Sequence, residues 1–508
     1  MKNRLYIYAA LIVLLSIGCS DFLDEEPLGV YPVTAFYQTQ EHALLAINAA
    51  YEPAAFANSE NRLWVFGDVA SDDAVKGGLP GDQADIGFID DFLVFSDNGN
   101  VENIWGIYYE GVNRCNSVIK YVPDIDMDEA LKKRILGEAY FLRGYYYFHL
   151  TNIFGNIPKV LEPKNPDEMQ VPATPQSDMY TQVEQDLSYA VAQLNIALGL
   201  DPGIIPTSEN GRATPGAATA FLAKTYLFHK NYSKAAETAV KVKSYGYTLM
   251  PVYQQNFNVN FENNSESVFE IQHLSGQSPV TGNRLNQWLA PRVDNGYGFN
   301  EPTQSFIDEF EVTGAGVFDP RLDYTVGRNG GMWFDDVPYD TTWSSTKYNQ
   351  KKYLQPISEI PKSTKGDGDL NFTAMRYAEV LLIEAEALCE AGRCAEALIP
   401  LNEVRKRARE SYLNDASLPG YGTIPTGLLP DITTTEHIAL RNAIRHERRV
   451  ELGFESIRYF DVIRYGEEYA QNAFSNKDGF VYATHKLFPI PQSELDTNKA
   501  LKQNDGYN

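Results

Sequence analysis

A mostly α-helical fold is predicted: tetratricopeptide-like helical hairpins forming a scaffold, with a loop-rich irregular region and minor short strands. Three observations carry this. From Phe372 to Glu410, the residues Ala374, Ala378, Leu381, Ala385 and Leu388 recur at steps of three or four, the spacing of one helix face. The turn Ala391-Gly392-Arg393 interrupts that stripe, with glycine where helices commonly end, and Ala397, Leu401, Val404 and Ala408 rebuild it. Next, Leu388, Ala397 and Leu401 stand nine and then four residues apart, and Tyr226, Ala235 and Ala239 repeat that spacing much earlier in the chain. This is the relative spacing of tetratricopeptide hairpins, which bury their faces by stacking on one another. Last, from Tyr245 to Leu370 the texture shifts to Gly, Asn, Asp and aromatics, and three of the five tryptophans fall there.

The chain has 508 residues, 44% hydrophobic and 22% charged, ample for a sizeable core. Acidic residues outnumber basic ones 67 to 43, for a net charge of −24. Such a surface argues against nucleic acid and against direct binding to anionic lipid headgroups, and suits a neutral ligand. Lys2 and Arg4 precede an apolar run from Leu5 to Ile17, which has the length of a signal sequence and is too short to span a bilayer. Ser16, Gly18 and Cys19 follow in a pattern that resembles the lipobox of bacterial lipoproteins, with Ser16 where leucine is commonest. Residues 1–18 therefore read as a signal peptide, with a plain secretory signal as the alternative. Cys19 reads as the lipid attachment site, residues 19–32 as a lipidated tether, and 33–508 as a single body. No later run is apolar enough to span a membrane. Cys115, Cys389 and Cys394 make no disulfide framework, although Cys389 and Cys394 flank the helical turn and either bridge or stay as thiols. No CxxC pair or HExxH motif is present, so neither a metal site nor a cofactor is expected.

Taken in order, helices are expected over Glu41–Phe56, from Val101 through Trp105, Tyr108, Val112 and Cys115, and over Asp128–Thr151. Trp105 lies on a helix face and is assigned to the core. Phe154-Gly155-Asn156-Ile157-Pro158 is a stop signal. Ser177 is the expected cap of the next helix. Thr214 with Pro215 opens another, as an N-cap followed by proline at the first helical position. Residues 58–100 read as a long loop. Ser267–Ile271 alternates like a strand, and a short helix is expected at Thr303–Phe310. From His437 to Gly466 helix returns, with Glu447, Glu451 and Glu455 four residues apart and Arg441, Arg445 and Arg449 likewise; this reads as an ion-pair lattice between packed helices. The scaffold is thus placed at about 33–57, 101–244 and 372–508, and the ligand-facing region at about 58–100 and 245–371.

Several stretches in order resemble the SusD/RagB family of outer-membrane nutrient-binding lipoproteins. They are Cys19-Ser-Asp-Phe-Leu23, Ala139-Tyr-Phe-Leu-Arg-Gly-Tyr-Tyr-Tyr-Phe148, Phe154 to Pro158, Ala213 to Ala220 and Asp319-Pro-Arg321. The strongest is Arg445 to Glu455 continuing through Arg458-Tyr-Phe-Asp461, and Phe488-Pro-Ile-Pro491 and Asn504-Asp-Gly-Tyr507 close the series. The resemblance covers essentially the whole chain. It implies four tetratricopeptide-like hairpins, a lipid anchor on the outer membrane facing outward, as in Bacteroidota, and a SusC-like TonB-dependent β-barrel as partner. It also implies an oligosaccharide as cargo, in some members a peptide, and binding without hydrolysis.

Glycans present hydroxyls at their edges and apolar C–H faces, so their sites combine flat aromatic rings with polar side chains. Trp288, Trp333, Trp343 and Tyr297 are the loop aromatics suited to that role, and Trp64 with Asp72 marks a second cluster. Two rivals remain: a glycoside hydrolase, which needs two carboxylates across a cleft, and a tetratricopeptide scaffold for protein or peptide partners. Asp335-Asp336 invites comparison with calcium loops.

Overall fold

The structure is a computed structural model, and it describes residues 36–56, 61–165, 168–361 and 364–507. The expected signal peptide, the expected lipid attachment site Cys19 and the expected tether lie outside the described residues. The long helices are α1 (Gln40–Ala55), α2 (Gly99–Tyr121), α3 (Glu129–Phe154), α4 (Gln176–Leu200), α5 (Pro215–Phe228), α6 (Tyr232–Val242), α7 (Tyr377–Glu390), α8 (Cys394–Asn414) and α9 (His437–Leu452). Each packs on the next, α1 on α2 through to α5 on α6, and the series continues without a gap from α6 to α7, then α8 and α9. The scaffold is therefore one continuous stack of hairpins, although more than a hundred residues of sequence separate α6 from α7.

Local sequence explains most of the boundaries. Thr214 caps α5, its Oγ1 accepting from the Ala217 N–H at 3.0 Å, and Pro215 stands at the first helical position. Ser177 is not a cap: α4 begins one residue earlier, after Pro175, and the Ser177 hydroxyl meets a His229 ring nitrogen at 3.0 Å. The aromatic crowd of α3 is core. Tyr146 donates to the Ala50 carbonyl at 2.7 Å, and Tyr147 donates to the Val160 carbonyl at 2.7 Å, so these two buried hydroxyls are satisfied. Gly111 on α2 permits this packing, because a Cβ there would lie 2.4 Å from the Tyr146 ring. Trp105 is 2% exposed. Cys389 and Cys394 are thiols with their sulfurs 3.2 Å apart.

Strands occur as four antiparallel pairs: β1 (Ala74–Gly77) with β5 (Phe299–Pro302), β2 (Ile157–Pro158) with β3 (Ala173–Thr174), β4 (Ser267–Ile271) with β8 (Phe372–Arg376), and β6 (Val326–Gly327) with β7 (Asn349–Gln350). The β4–β8 pair corrects one expectation. Phe372–Arg376, including Ala374, is strand and not the start of the helix; it pairs Ser267 with Arg376 and Ile271 with Phe372. A tertiary partner distant in sequence overrides the local helical spacing. The loop expected at 58–100 holds β1, a short helix at Ala84–Asp90 and a π-helical turn at Val65–Val69, whose residues are all buried.

Glu447 and Glu451 of α9, with Glu455 just past its end, form a buried ion network, but their partners come from other elements. Glu447 accepts from Arg321 at 2.6 Å and Arg405 at 2.8 Å. Glu451 accepts from Arg321 at 2.8 Å, from Arg376 and from Arg407. Glu455 accepts from Arg376 at 2.8 Å and from Lys352 at 2.8 Å. The arginines of α9 point elsewhere: Arg449 to Asp73 and Glu309, Arg441 to Glu390, while Arg445 stacks over Tyr465 with its guanidinium 4.0 Å from the ring centre.

Asp68, in the π-helical turn, is 1% exposed and joins the scaffold to the inserted region. Its carboxyl accepts from the Ser456 N–H at 2.9 Å and from the Asn300 amide at 3.2 Å. Burial pushes its pKa up to about 8, with nearby Asp73 adding to the rise. The folded state thus holds a proton that the unfolded chain releases near pH 4. Stability from this group is full below that pH and is lost as pH rises through about 8. Asp68→Asn should therefore flatten the decline in denaturant midpoint between pH 5 and 8; an unchanged slope would show that Asp68 is ionised in the fold.

Candidate functional site

The inserted region builds a shallow cleft on its surface. One wall is the hairpin Gly331–Tyr339, in which Trp333 N–H donates to the Val337 carbonyl at 2.7 Å and Tyr339 N–H to the Gly331 carbonyl at 3.0 Å. Its tip is Phe334-Asp335-Asp336-Val337, with φ of 55° and 57° at the two central aspartates. Both are left-handed, as a tight hairpin turn of the right twist requires, and aspartate tolerates this better than most residues. The acidic pair is thus explained by turn geometry. Among the described residues no group of three or more His, Cys, Asp or Glu is arranged to hold a metal ion.

Trp333 is fixed from several sides. Its indole N–H donates to Asp294 Oδ2 at 2.6 Å, from the turn Arg292–Asp294. Its ring lies against Gly327 of β6, where a Cβ would stand 2.7 Å away, and against Tyr339, whose hydroxyl donates to Asn349 at 2.7 Å. Trp343, half-buried, stands edge-on to both: 6.3 Å and 75° from Trp333, 5.3 Å and 78° from Tyr339. The cleft between them holds about 160 Å³ and is lined by Val293, Asp294, Trp333, Phe334, Asp335, Val337, Trp343 and Ile357. Val293 is 58% and Val337 43% exposed, so the rim is open and apolar. Ser358 donates to Asp335 Oδ1 at 2.8 Å. Burial raises the Asp294 carboxyl above its ordinary pKa; the Trp333 N–H pulls it back, and the charge on Asp335 raises it further. Rings on two sides and carboxylate oxygens on the walls can stack on an apolar face and accept from hydroxyls.

The structure groups the other expected residues differently. Tyr297 follows the Asp294 turn; it is half-buried, its hydroxyl accepts from Gln287 at 3.0 Å, and the Lys365 ammonium lies 4.4 Å over its ring. Trp64 and Trp288 are 3% and 5% exposed, packed with Phe299 at 6.3 and 6.0 Å, and the Arg62 guanidinium covers Trp288 at 4.0 Å. Trp333 itself is 6% exposed. Asp72 is away from the aromatic cleft. It takes two 2.8 Å hydrogen bonds from Arg458 and sits 3.1 Å from Arg449, clamping its loop to α9. Burial would raise its pKa, but the two guanidiniums hold it below the ordinary range. Sequence reasoning missed Asp294 and Val293; the Asn295-Gly296 turn signal just after them was the available clue.

A larger cavity of about 690 Å³ lies between α1, β4 and the loop at Glu209–Arg212. Among its polar groups, Arg212 donates to Glu138 and Asn48, each at 3.0 Å, and Glu270 accepts from the Asn263 N–H at 2.9 Å. The smaller cleft is the one that offers carboxylate oxygens beside an indole.

The fold is thus a helical-repeat scaffold that carries this cleft on its inserted loops. The chain belongs to the SusD family: the SusD family model matches residues 265–507, and one described as starch-binding associating with outer membrane matches 21–227. SusD-like protein P2 of Formosa agariphila is 29% identical over the full length of both chains. A solved laminarin binding SusD-like protein is 28% identical, covering 93% of this chain and all of that one, with a TM-score of 0.76. Surface glycan-binding protein A from Bacteroides fluxus is 25% identical, covering 92% and 100%, with a TM-score of 0.74. No helix among the described residues is long and apolar enough to cross a membrane.

Proposed function

We propose that this protein is a cell-surface lipoprotein that binds an oligosaccharide without cleaving it. It then delivers the ligand to a SusC-like TonB-dependent outer-membrane barrel. The observation that carries the reading is the cleft, where Trp333 and Trp343 meet at 75° beside two carboxylates. The similarity to a laminarin binding SusD-like protein supports a glycan as ligand. In this reading Trp343 and Trp333 touch the sugar, and Tyr297, which is not part of the cleft lining, steadies the loop that follows the Asp294 turn. Trp64 and Trp288 act through the packing that supports the Tyr297 loop, and Asp72 through the clamp on α9. Cys19 carries the lipid that holds the protein to the outer membrane.

The test is a glycan array probed with the chain lacking residues 1–19, followed by reducing-sugar assays on each glycan bound. Binding without product release is expected. Steady product release would replace this reading with a hydrolase, and affinity for peptides with no glycan bound would replace it with the peptide-binding scaffold.

A further inference from the structure

We infer that the cleft selects neutral glycans against those bearing carboxylate or sulfate groups, and that Asp294 and Asp335 set this choice. The inference rests on the glycan-binding reading above. Its basis is the chemistry of the lining, which holds two carboxylates and no lysine or arginine. Asp294 and Asp335 both line it, and the charge on Asp335 helps to raise the Asp294 carboxyl above its ordinary pKa. An anionic sugar would bring a third negative charge into the same small, partly desolvated space.

Hydrogen-bond polarity points the same way. Carboxylates only accept, and the Trp333 N–H is already given to Asp294. Apart from the Trp343 N–H, the polar side-chain groups of the lining are therefore acceptors. Neutral sugar hydroxyls supply donors to match; a carboxylate or sulfate on the ligand supplies none.

Nearby cations do not reverse this. Lys351 Nζ donates to the Asp323 and Met332 carbonyls at 3.2 and 3.1 Å, and burial lowers its pKa to about 8. Arg292 is paired with Asp82, and Lys365 sits over Tyr297 outside the lining. The net charge of −24 adds repulsion at longer range, which salt screens.

The test compares a neutral glycan with its own charged derivative: laminarin and carboxymethylated laminarin, measured by calorimetry, with an array of neutral and acidic polysaccharides beside them. Wild type should bind the neutral form at least roughly tenfold more tightly, and the gap should narrow as salt rises. The double variant Asp294→Asn and Asp335→Asn should bring the two within about threefold in low salt. Asparagine keeps an acceptor for the Trp333 N–H and tolerates the left-handed backbone at 335, so the cleft should keep its shape. Equal affinity of wild type for both forms, or a gap unchanged in the double variant, overturns the inference and leaves the glycan-binding reading standing. Preference for acidic glycans across the array does the same. Binding to no glycan, neutral or acidic, overturns both.

Discussion

Trp343→Ala should weaken glycan binding by about 2 kcal/mol, roughly thirtyfold, because a buried aromatic anchor at the centre of a small site carries much of its affinity. Thermal stability should hardly move, since Trp343 is half-buried and set in a short surface turn. Trp333→Ala should lose at least as much affinity and also loosen the hairpin, because its ring fills the space over Gly327 and its N–H holds Asp294. The informative partner is Trp333→Phe, which keeps a ring and removes the N–H. It should lie between wild type and alanine in affinity, with the Asp294 turn released. Calorimetry on the best array ligand reads all three, and unchanged affinity in both alanine variants would remove the cleft as the binding site.

Glu451→Gln should be the most damaging single change outside the site, costing about 3–5 kcal/mol, the usual penalty for removing one partner of a buried ion pair. Glu451 is fully buried and faces Arg321, Arg376 and Arg407. Burial alone would raise its pKa, yet the three guanidiniums hold it far below the ordinary glutamate range. Neutralising it removes one counter-charge from each of three buried guanidiniums, which keep only their other carboxylate partners. The sign with pH follows: this contribution is present above the unfolded-state pKa near 4.3 and is lost as pH falls through the depressed folded value. Wild type should therefore lose stability below about pH 4 more steeply than Glu451→Gln. Denaturant titrations at pH 7 and at about pH 3 test both statements, and a loss under about 1 kcal/mol at pH 7 would mean that the network contributes little.

Sequence was most informative where structure is local. Thr214 before Pro215 fixed a helix start because capping needs only neighbours. The nine-and-four spacing at Tyr226 and Leu388 disclosed the stack because small residues at those positions are what let helices approach. Phe372–Arg376 was misread as helix because its strand partner lies about a hundred residues away, and Ala374 fits a helical stripe equally well. The glutamate ladder on α9 was visible, but Arg321 and Arg376 as its partners were not, since they arrive from the inserted region and its exit. In the site, residue types were legible and their exposure was not. Trp64, Trp288 and Trp343 look alike in sequence; the first two are buried and the third is half-exposed because of Phe299, Arg62 and the hairpin that ends at Tyr339.

The β4–β8 pair has a consequence for how such proteins diversify. The chain leaves the stack after Ile271 and returns at Phe372, and those two residues are ladder partners. The recognition loops are thus a cassette with a single doorway, and α6 meets α7 as though nothing stood between them. Inside the cassette, Arg321 pairs with Glu447 and Glu451 of α9, and Lys352 with Glu455 just past its end. A graft of the segment from Ile271 to Phe372 that lacked Arg321 would fit the doorway and leave Glu447 and Glu451 without that partner.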